Sequence, residues 1–123
     1  MNRRVLVVDD DPAIVRLCQL VLEKRGDRVD VAGNGKEALS KVIEGRPEIV
    51  FLDLMMPELD GFEIVEALSS TGVTKPRLVV ITAKHLTAQE KAFLESRVEV
   101  IVHKGDGDFA QILDRAMASL EAK

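Results

Sequence analysis

With 123 residues the chain is long enough for one hydrophobic core and too short for two. Hydrophobic residues make up 46% and charged residues 31%, and the net charge of −4 gives no electrostatic drive toward nucleic acid. Trp and Tyr are absent, which argues against base-stacking platforms, and the lone Cys18 excludes an intrachain disulfide and fits a reducing, cytoplasmic setting.

The opening Met1–Asn2–Arg3–Arg4 has the charge of a signal-peptide start. The apolar run Val5–Val8 behind it stops after four residues at three aspartates, so there is no hydrophobic region to export, and no stretch approaches a membrane span. Val5–Val8 instead reads as a first strand ending in Asp9, Asp10 and Asp11. Asp11–Pro12 has the form of an N-cap followed by proline at the first helical position. Ile14, Leu17, Cys18, Val21 and Leu22 then fall on one helical face, where Cys18 reads as a small buried hydrophobe, and Gly26 is placed to stop the helix.

Val29–Ala32 is the second strand, ending at Gly33 and Asn34 with no evident chemistry. Asn34 with Glu37 opens a second helix that Gly45 ends. Ile49–Leu52 is the third strand, ending in Asp53. Asp60 with Glu63 opens a third helix that Gly72 ends, and Met56 and Phe62 read as core residues. Leu78–Ile81 is the fourth strand, ending in Thr82 and Ala83, and Thr87 with Glu90 opens the fourth helix. Val98–Val102 is the fifth strand, ending in His103 and Lys104. Phe109, Ile112, Leu113, Ala116, Met117 and Leu120 form the cleanest apolar face, on a last helix reaching about Leu120. Strands alternating five times with helices imply a parallel sheet covered on both faces by right-handed crossovers. Periodicity alone does not order the strands.

In such sheets a site forms outside the carboxyl ends of the strands. Acids, a hydroxyl and an amine therefore converge on one edge. A lone Asp after a strand is more often a helix cap, and Asp11 and Asp60 are read that way. Asp9, Asp10 and Asp53 together are different. At about 5 Å and an effective dielectric of about 20, each pair of carboxylates repels by roughly 3 kcal/mol. A hard divalent cation relieves that cost, and Mg²⁺ prefers few carboxylates plus waters and phosphate oxygens. Lys104 offers a positive charge to a phosphoryl oxygen and Thr82 a hydrogen bond to the same group. A carboxylate nucleophile, a metal and a lysine make a phosphoryl-acceptor site.

Four blocks, Val5–Pro12, Ile49–Gly61, Val79–Ala83 and Val102–Lys104, occur in the order that resembles the receiver domain of two-component response regulators. The resemblance covers essentially the whole chain, 1–123. It implies a flavodoxin-like (βα)5 fold, a doubly wound five-stranded parallel sheet of order 2-1-3-4-5. It implies that Asp53 is the phosphoacceptor, that Asp10 and Asp53 bind Mg²⁺ directly with the backbone carbonyl of Met55, and that Asp9 acts through a metal-bound water. Thr82 would move to the phosphoryl group and Lys104 would pair with it. The donor would be a phosphohistidine on a sensor histidine kinase or phosphotransfer protein. The chain would catalyse only its own phosphorylation and dephosphorylation, as a cytoplasmic monomer or weak dimer without direct nucleic-acid contact.

Some positions depart from that pattern. Gly105 follows Lys104 where the family carries proline after a cis bond. A non-proline cis bond costs about 2.5–4 kcal/mol, so a trans bond and a pliable 105–107 loop are expected. Ile101 stands where many receivers have a rotating aromatic, so output is expected to run through backbone shifts of the fourth strand and helix. His103 reads as a rim histidine with a local hydrogen bond and His85 as solvated. Met55 and Lys84 are expected to flank the site mouth. Three rival readings compete. The first is a receiver-like interaction module that is never phosphorylated. The second is a haloacid-dehalogenase-type phosphatase using Asp9-x-Asp11, which leaves Asp53 unexplained and puts Ala13 where that motif wants Thr or Val. The third is a flavin binder, which lacks a Tyr or Trp to stack on the ring.

Overall fold

Runs of Val, Ile and Leu with no polar alternation have no face to give to water, so the strands they form must be covered on both sides. The computed structural model, which describes residues 3–56, 60–69, 76–83, 85–105 and 107–122, meets that demand. Strands β1 (Arg4–Val8), β2 (Arg28–Ala32), β3 (Ile49–Asp53), β4 (Arg77–Thr82) and β5 (Val100–His103) alternate with helices α1 (Pro12–Lys24), α2 (Gly35–Gly45), α3 (Gly61–Ser69), α4 (Ala88–Glu95) and α5 (Phe109–Glu121). The strands form one parallel sheet of order β2-β1-β3-β4-β5, the flavodoxin-like order.

Side-chain alternation divides the sheet into two faces. Val5, Val7, Ile49, Phe51, Val79 and Ile81 pack with Cys18 and Leu22 of α1 and with Leu113, Met117 and Leu120 of α5. Leu6, Val8, Val50, Leu52, Leu78 and Val80 pack with residues of α2, α3 and α4. The central strands β1 and β3 are buried almost throughout, whereas β2 and β5 are partly exposed because each has a neighbour on one side only. Phe62 on α3 meets Phe93 on α4 edge to face at 6.0 Å.

The helix starts agree with the sequence. Asp11 accepts from the Ala13 amide, Asn34 from Glu37, and Asp60 from Phe62. Thr87 and Glu90 form a reciprocal capping box. Gly26 has the left-handed φ of 89° expected after α1. The end of α2 agrees as well. Gly45 is the last helical residue, and the left-handed turn is made by Arg46, at φ 46°, whose amide still reaches the Val42 carbonyl. Gly72 lies outside the described residues.

The amino edge of the sheet is closed by ion pairs. The Arg77 guanidinium donates to both Glu99 oxygens at 2.8 Å and to the Leu120 carbonyl at 2.8 Å, tying β4, the approach to β5 and the end of α5 together. Arg3 pairs with buried Asp27 and with Glu121, and Arg25 pairs with Asp114 and Glu121.

Leu113 is fully buried whereas Ile43 is 70% exposed. Leu113→Ala is expected to cost about 2–5 kcal/mol and Ile43→Ala less than about 0.5 kcal/mol. Urea unfolding of the two variants checks this, and similar losses would contradict the packing described.

Candidate functional site

The chain crosses from one side of the sheet to the other between β1 and β3, and a crevice opens above such a switch point. Val8 is in register with Leu52, so Asp9 and Asp53 emerge side by side. Carboxylate oxygens of Asp9, Asp10 and Asp53 lie within 4.8 Å of one another. Asp9 and Asp53 are buried and Asp10 is exposed. Thr82 ends β4 and is fully buried. The Lys104 amide bonds to the Thr82 carbonyl at 2.9 Å, which seats the lysine at the end of β5. Its ammonium then reaches Asp53 Oδ2 at 3.0 Å.

Each buried carboxylate is held by the backbone on one oxygen. Asp53 Oδ1 accepts from the Met55 amide at 2.9 Å, and Asp9 Oδ1 accepts from the Asp11 amide at 2.9 Å. The second oxygens are not equivalent. Asp53 Oδ2 has Lys104, while Asp9 Oδ2 is buried without a hydrogen-bond partner among the described residues. Lys104 Nζ stands 3.4 Å from Asp9 Oδ2, close enough for an ion pair but without hydrogen-bond geometry. Among the described residues one ammonium therefore serves two buried acids.

The electrostatics follow. Burial pushes the Asp9 carboxyl up to about 6; the Asp53 charge adds to this, while the Asp11 amide and Lys104 oppose it. For Lys104, burial alone favours the neutral amine. The hydrogen bond to Asp53 and the charges of Asp53 and Asp9 outweigh it, so its pKa is raised and it stays an ammonium. An orphaned buried carboxylate oxygen beside two more carboxylates, one of them open to water, is a donor set that fits a hard divalent cation such as Mg²⁺.

The structure thus brings Asp9, Asp10, Asp53 and Lys104 together and sets Thr82 at the same edge. Met55 flanks the mouth, 54% exposed. Pro57, Lys84 and Asp106 lie outside the described residues. The Lys104–Gly105 bond is trans, there being no cis bond among the described residues. Ile101 is half-buried against the core on the α3 and α4 side. His85 is exposed as expected; His103 is exposed too, and the local hydrogen bond expected of its side chain is absent among the described residues. Two supporting roles were not foreseen. Asp11 caps α1 and also holds Asp9 through its amide, and the Leu54 amide bonds to the Ile81 carbonyl at 3.1 Å, linking the turn after Asp53 to β4. Both are made by backbone amides, one to a carboxylate and one to a carbonyl, and an amide donor leaves no mark in the residue types.

The profile of the response regulator receiver domain family matches residues 5–116. The DNA-binding response regulator MtrA of Mycolicibacterium smegmatis is 39% identical over 105 residues, 85% of this chain and 45% of that protein. The alkaline phosphatase synthesis transcriptional regulatory protein PhoP of Bacillus subtilis is 42% identical over 84 residues, 68% of this chain and 35% of that protein. The chain therefore spans less than half the length of these curated relatives. Among solved structures, the N-terminal domain of a response regulator receiver protein from Methanoculleus marisnigri superposes with a TM-score of 0.76 at 32% identity, covering 98% of both chains. The chemotaxis response regulator CheY4 of Vibrio cholerae, at 24% identity and a TM-score of 0.81 over 96% of this chain and 98% of that one, shares the fold.

Because the folded-state pKa of Asp9 is raised, the stability carried by its protonated form is complete below the ordinary value of 3.8 and is lost as pH climbs through about 6. In chelator, Asp9→Asn is expected to gain on the wild type, by on the order of 1–3 kcal/mol, between about pH 4 and about pH 7.5. Urea unfolding at the two pH values reads this, and a constant difference would contradict it.

Proposed function

The chain belongs to the response regulator receiver domain family, and from that premise we propose that it accepts a phosphoryl group on Asp53 in a Mg²⁺-dependent reaction and signals by the conformational change that follows. The observation that carries this reading is the charge imbalance at the strand ends. Among the described residues, buried Asp9 and Asp53 share one ammonium, and Asp9 Oδ2 has no hydrogen-bond partner.

The chain's residues divide the work. Asp53 is the nucleophile: one of its oxygens forms a bond to phosphorus as the bond to the donor's imidazole nitrogen breaks, and that electron pair returns to the ring. The Met55 amide and Lys104 fix the carboxylate before attack. Asp10, Asp53 and the Met55 carbonyl would hold Mg²⁺, with Asp9 reaching it through water, and the ion when bound would supply charge neutralisation for the phosphoryl oxygens. Transfer neutralises one of the Asp53 oxygens and leaves the ammonium of Lys104 free to pair with a phosphoryl oxygen, while the Thr82 hydroxyl donates to another. The donor is a phosphohistidine on a sensor histidine kinase or a phosphotransfer protein.

On this reading the chain turns over no separate substrate, and its only catalysis is of its own phosphorylation and dephosphorylation. Residues 1–123 act as one receiver domain in the cytoplasm, as a monomer or weak dimer. No described helix is long and apolar enough to cross a membrane. Lys and Arg are scattered without a basic stripe, so any contact with DNA of the kind MtrA's name records is not assigned to this chain itself. Ile101 removes the aromatic swing from the output, which leaves backbone shifts of β4 and α4 to carry it.

Incubation with Mg²⁺ and acetyl phosphate, followed by intact mass, is expected to add one phosphoryl group to the wild type. None is expected on Asp53→Asn or in excess chelator. A wild type that stays unlabelled where another receiver is labelled favours the interaction-module reading.

A further inference from the structure

Gly61 opens α3 directly against the turn that follows Asp53. A Cβ built on it would stand 2.7 Å from Leu54 Cδ2, 2.8 Å from Leu54 Cα and 3.1 Å from the Leu54 carbonyl oxygen. Gly61 is not among the residues with positive φ, so the glycine is there for this close approach. A flexible Cδ2 can swing aside; Cα and the carbonyl oxygen move only with the backbone.

Leu54 has little room to yield. Its amide is tied to the Ile81 carbonyl at 3.1 Å, one residue before Thr82. On either side of it stand Asp53 and Met55, joined by the 2.9 Å bond from the Met55 amide to Asp53 Oδ1. Buried Leu54 thus lies between β4 and the first turn of α3, and the carboxylate of Asp53 and the backbone of Met55 ride on its position.

We infer that Gly61 is a positioning residue for the site: its missing side chain sets Leu54, and through Leu54 the donor atoms of Asp53 and Met55. The inference rests on the proposed function, in which those atoms hold Mg²⁺. Mg²⁺ demands near-ideal octahedral geometry at about 2.0–2.1 Å, so a backbone shift of several tenths of an ångström is enough to spoil it. Gly45, at the far end of α2, meets nothing within 4 Å when given a Cβ and is the matched control.

The test is Mg²⁺ titration followed by amide chemical shifts, with the fold of each variant checked in chelator. Gly61→Ala is expected to fold and to bind Mg²⁺ at least about tenfold more weakly than the wild type, with Gly45→Ala unchanged. Leu54→Ala added to Gly61→Ala is expected not to restore affinity, because the Cα and carbonyl contacts persist. Mg²⁺ binding by Gly61→Ala equal to the wild type overturns the inference. So does restoration by Leu54→Ala, or a Gly61→Ala chain that cannot fold, since its role would then lie in packing alone. A wild type that itself ignores Mg²⁺ overturns the proposed function instead.

Discussion

Two buried carboxylates facing, among the described residues, one ammonium is the constraint around which the rest of this molecule is arranged. Asp9 and Asp53 are too close to each other and too far from water for both charges to be comfortable, and Lys104 hydrogen-bonds only one of them. A buried pair survives when each charge has good partners, and a buried charge without them is costly. The backbone supplies part of the balance through the Asp11 and Met55 amides. Among the described residues Asp9 Oδ2 is left with the ion pair to Lys104 and no hydrogen bond, beside the exposed carboxylate of Asp10. A cation placed there would relieve the repulsion, and in the proposed function a phosphoryl group opposite Lys104 would keep the ammonium occupied once Asp53 carries it as an acyl phosphate.

The sheet is what allows such a cluster to exist. Parallel strands deliver their carboxyl ends to one edge, and covering both faces makes those ends dry. The order β2-β1-β3-β4-β5 puts Asp9 beside Asp53, Asp53 beside the end of β4, and Lys104 one strand further. The core contributes through rigidity. β1 and β3 are buried almost throughout, so the two acids cannot relax apart without moving strands that are packed on both sides.

Much of this was legible in the amino-acid order. Continuous apolar runs announced doubly covered strands, and Asp11–Pro12, Asn34 with Glu37 and Thr87 with Glu90 announced helix starts, because each is a local device with its own side-chain signature. Asp9, Asp10, Asp53, Thr82 and Lys104 were legible because a residue following an apolar run has only one place to go. Strand order came only from the resemblance, since periodicity is the same whichever strands are neighbours. The helix end at Gly45 was legible, whereas the left-handed turn at Arg46 was not, because glycine is the cheaper residue there and the chain did not use it. The close seat of Gly61 on Leu54, the bond from Leu54 to Ile81 and the second duty of the Asp11 amide left no trace, being contacts of backbone with backbone or with a neighbour's carboxylate. The reach of Arg77 across β4 to Glu99 and Leu120 is a tertiary accident of the same kind from the standpoint of local sequence.

The two ends of the same sheet show that the imbalance belongs to the site rather than to strand ends in general. At the amino edge, Asp27 is as buried as Asp53 and is answered by Arg3, while Arg77 meets Glu99 through two parallel hydrogen bonds and spends a third on the end of α5. Guanidinium groups with several fixed donors are suited to closing such networks. At the carboxyl edge, among the described residues, three acids meet one lysine, a compact charge that can re-pair without rearranging a planar fork. Stability alone would favour the saturated arrangement at both ends. Among the described residues one edge is closed by arginines and the other is left short of positive charge, an asymmetry that suits the cation and incoming anion of the proposed function.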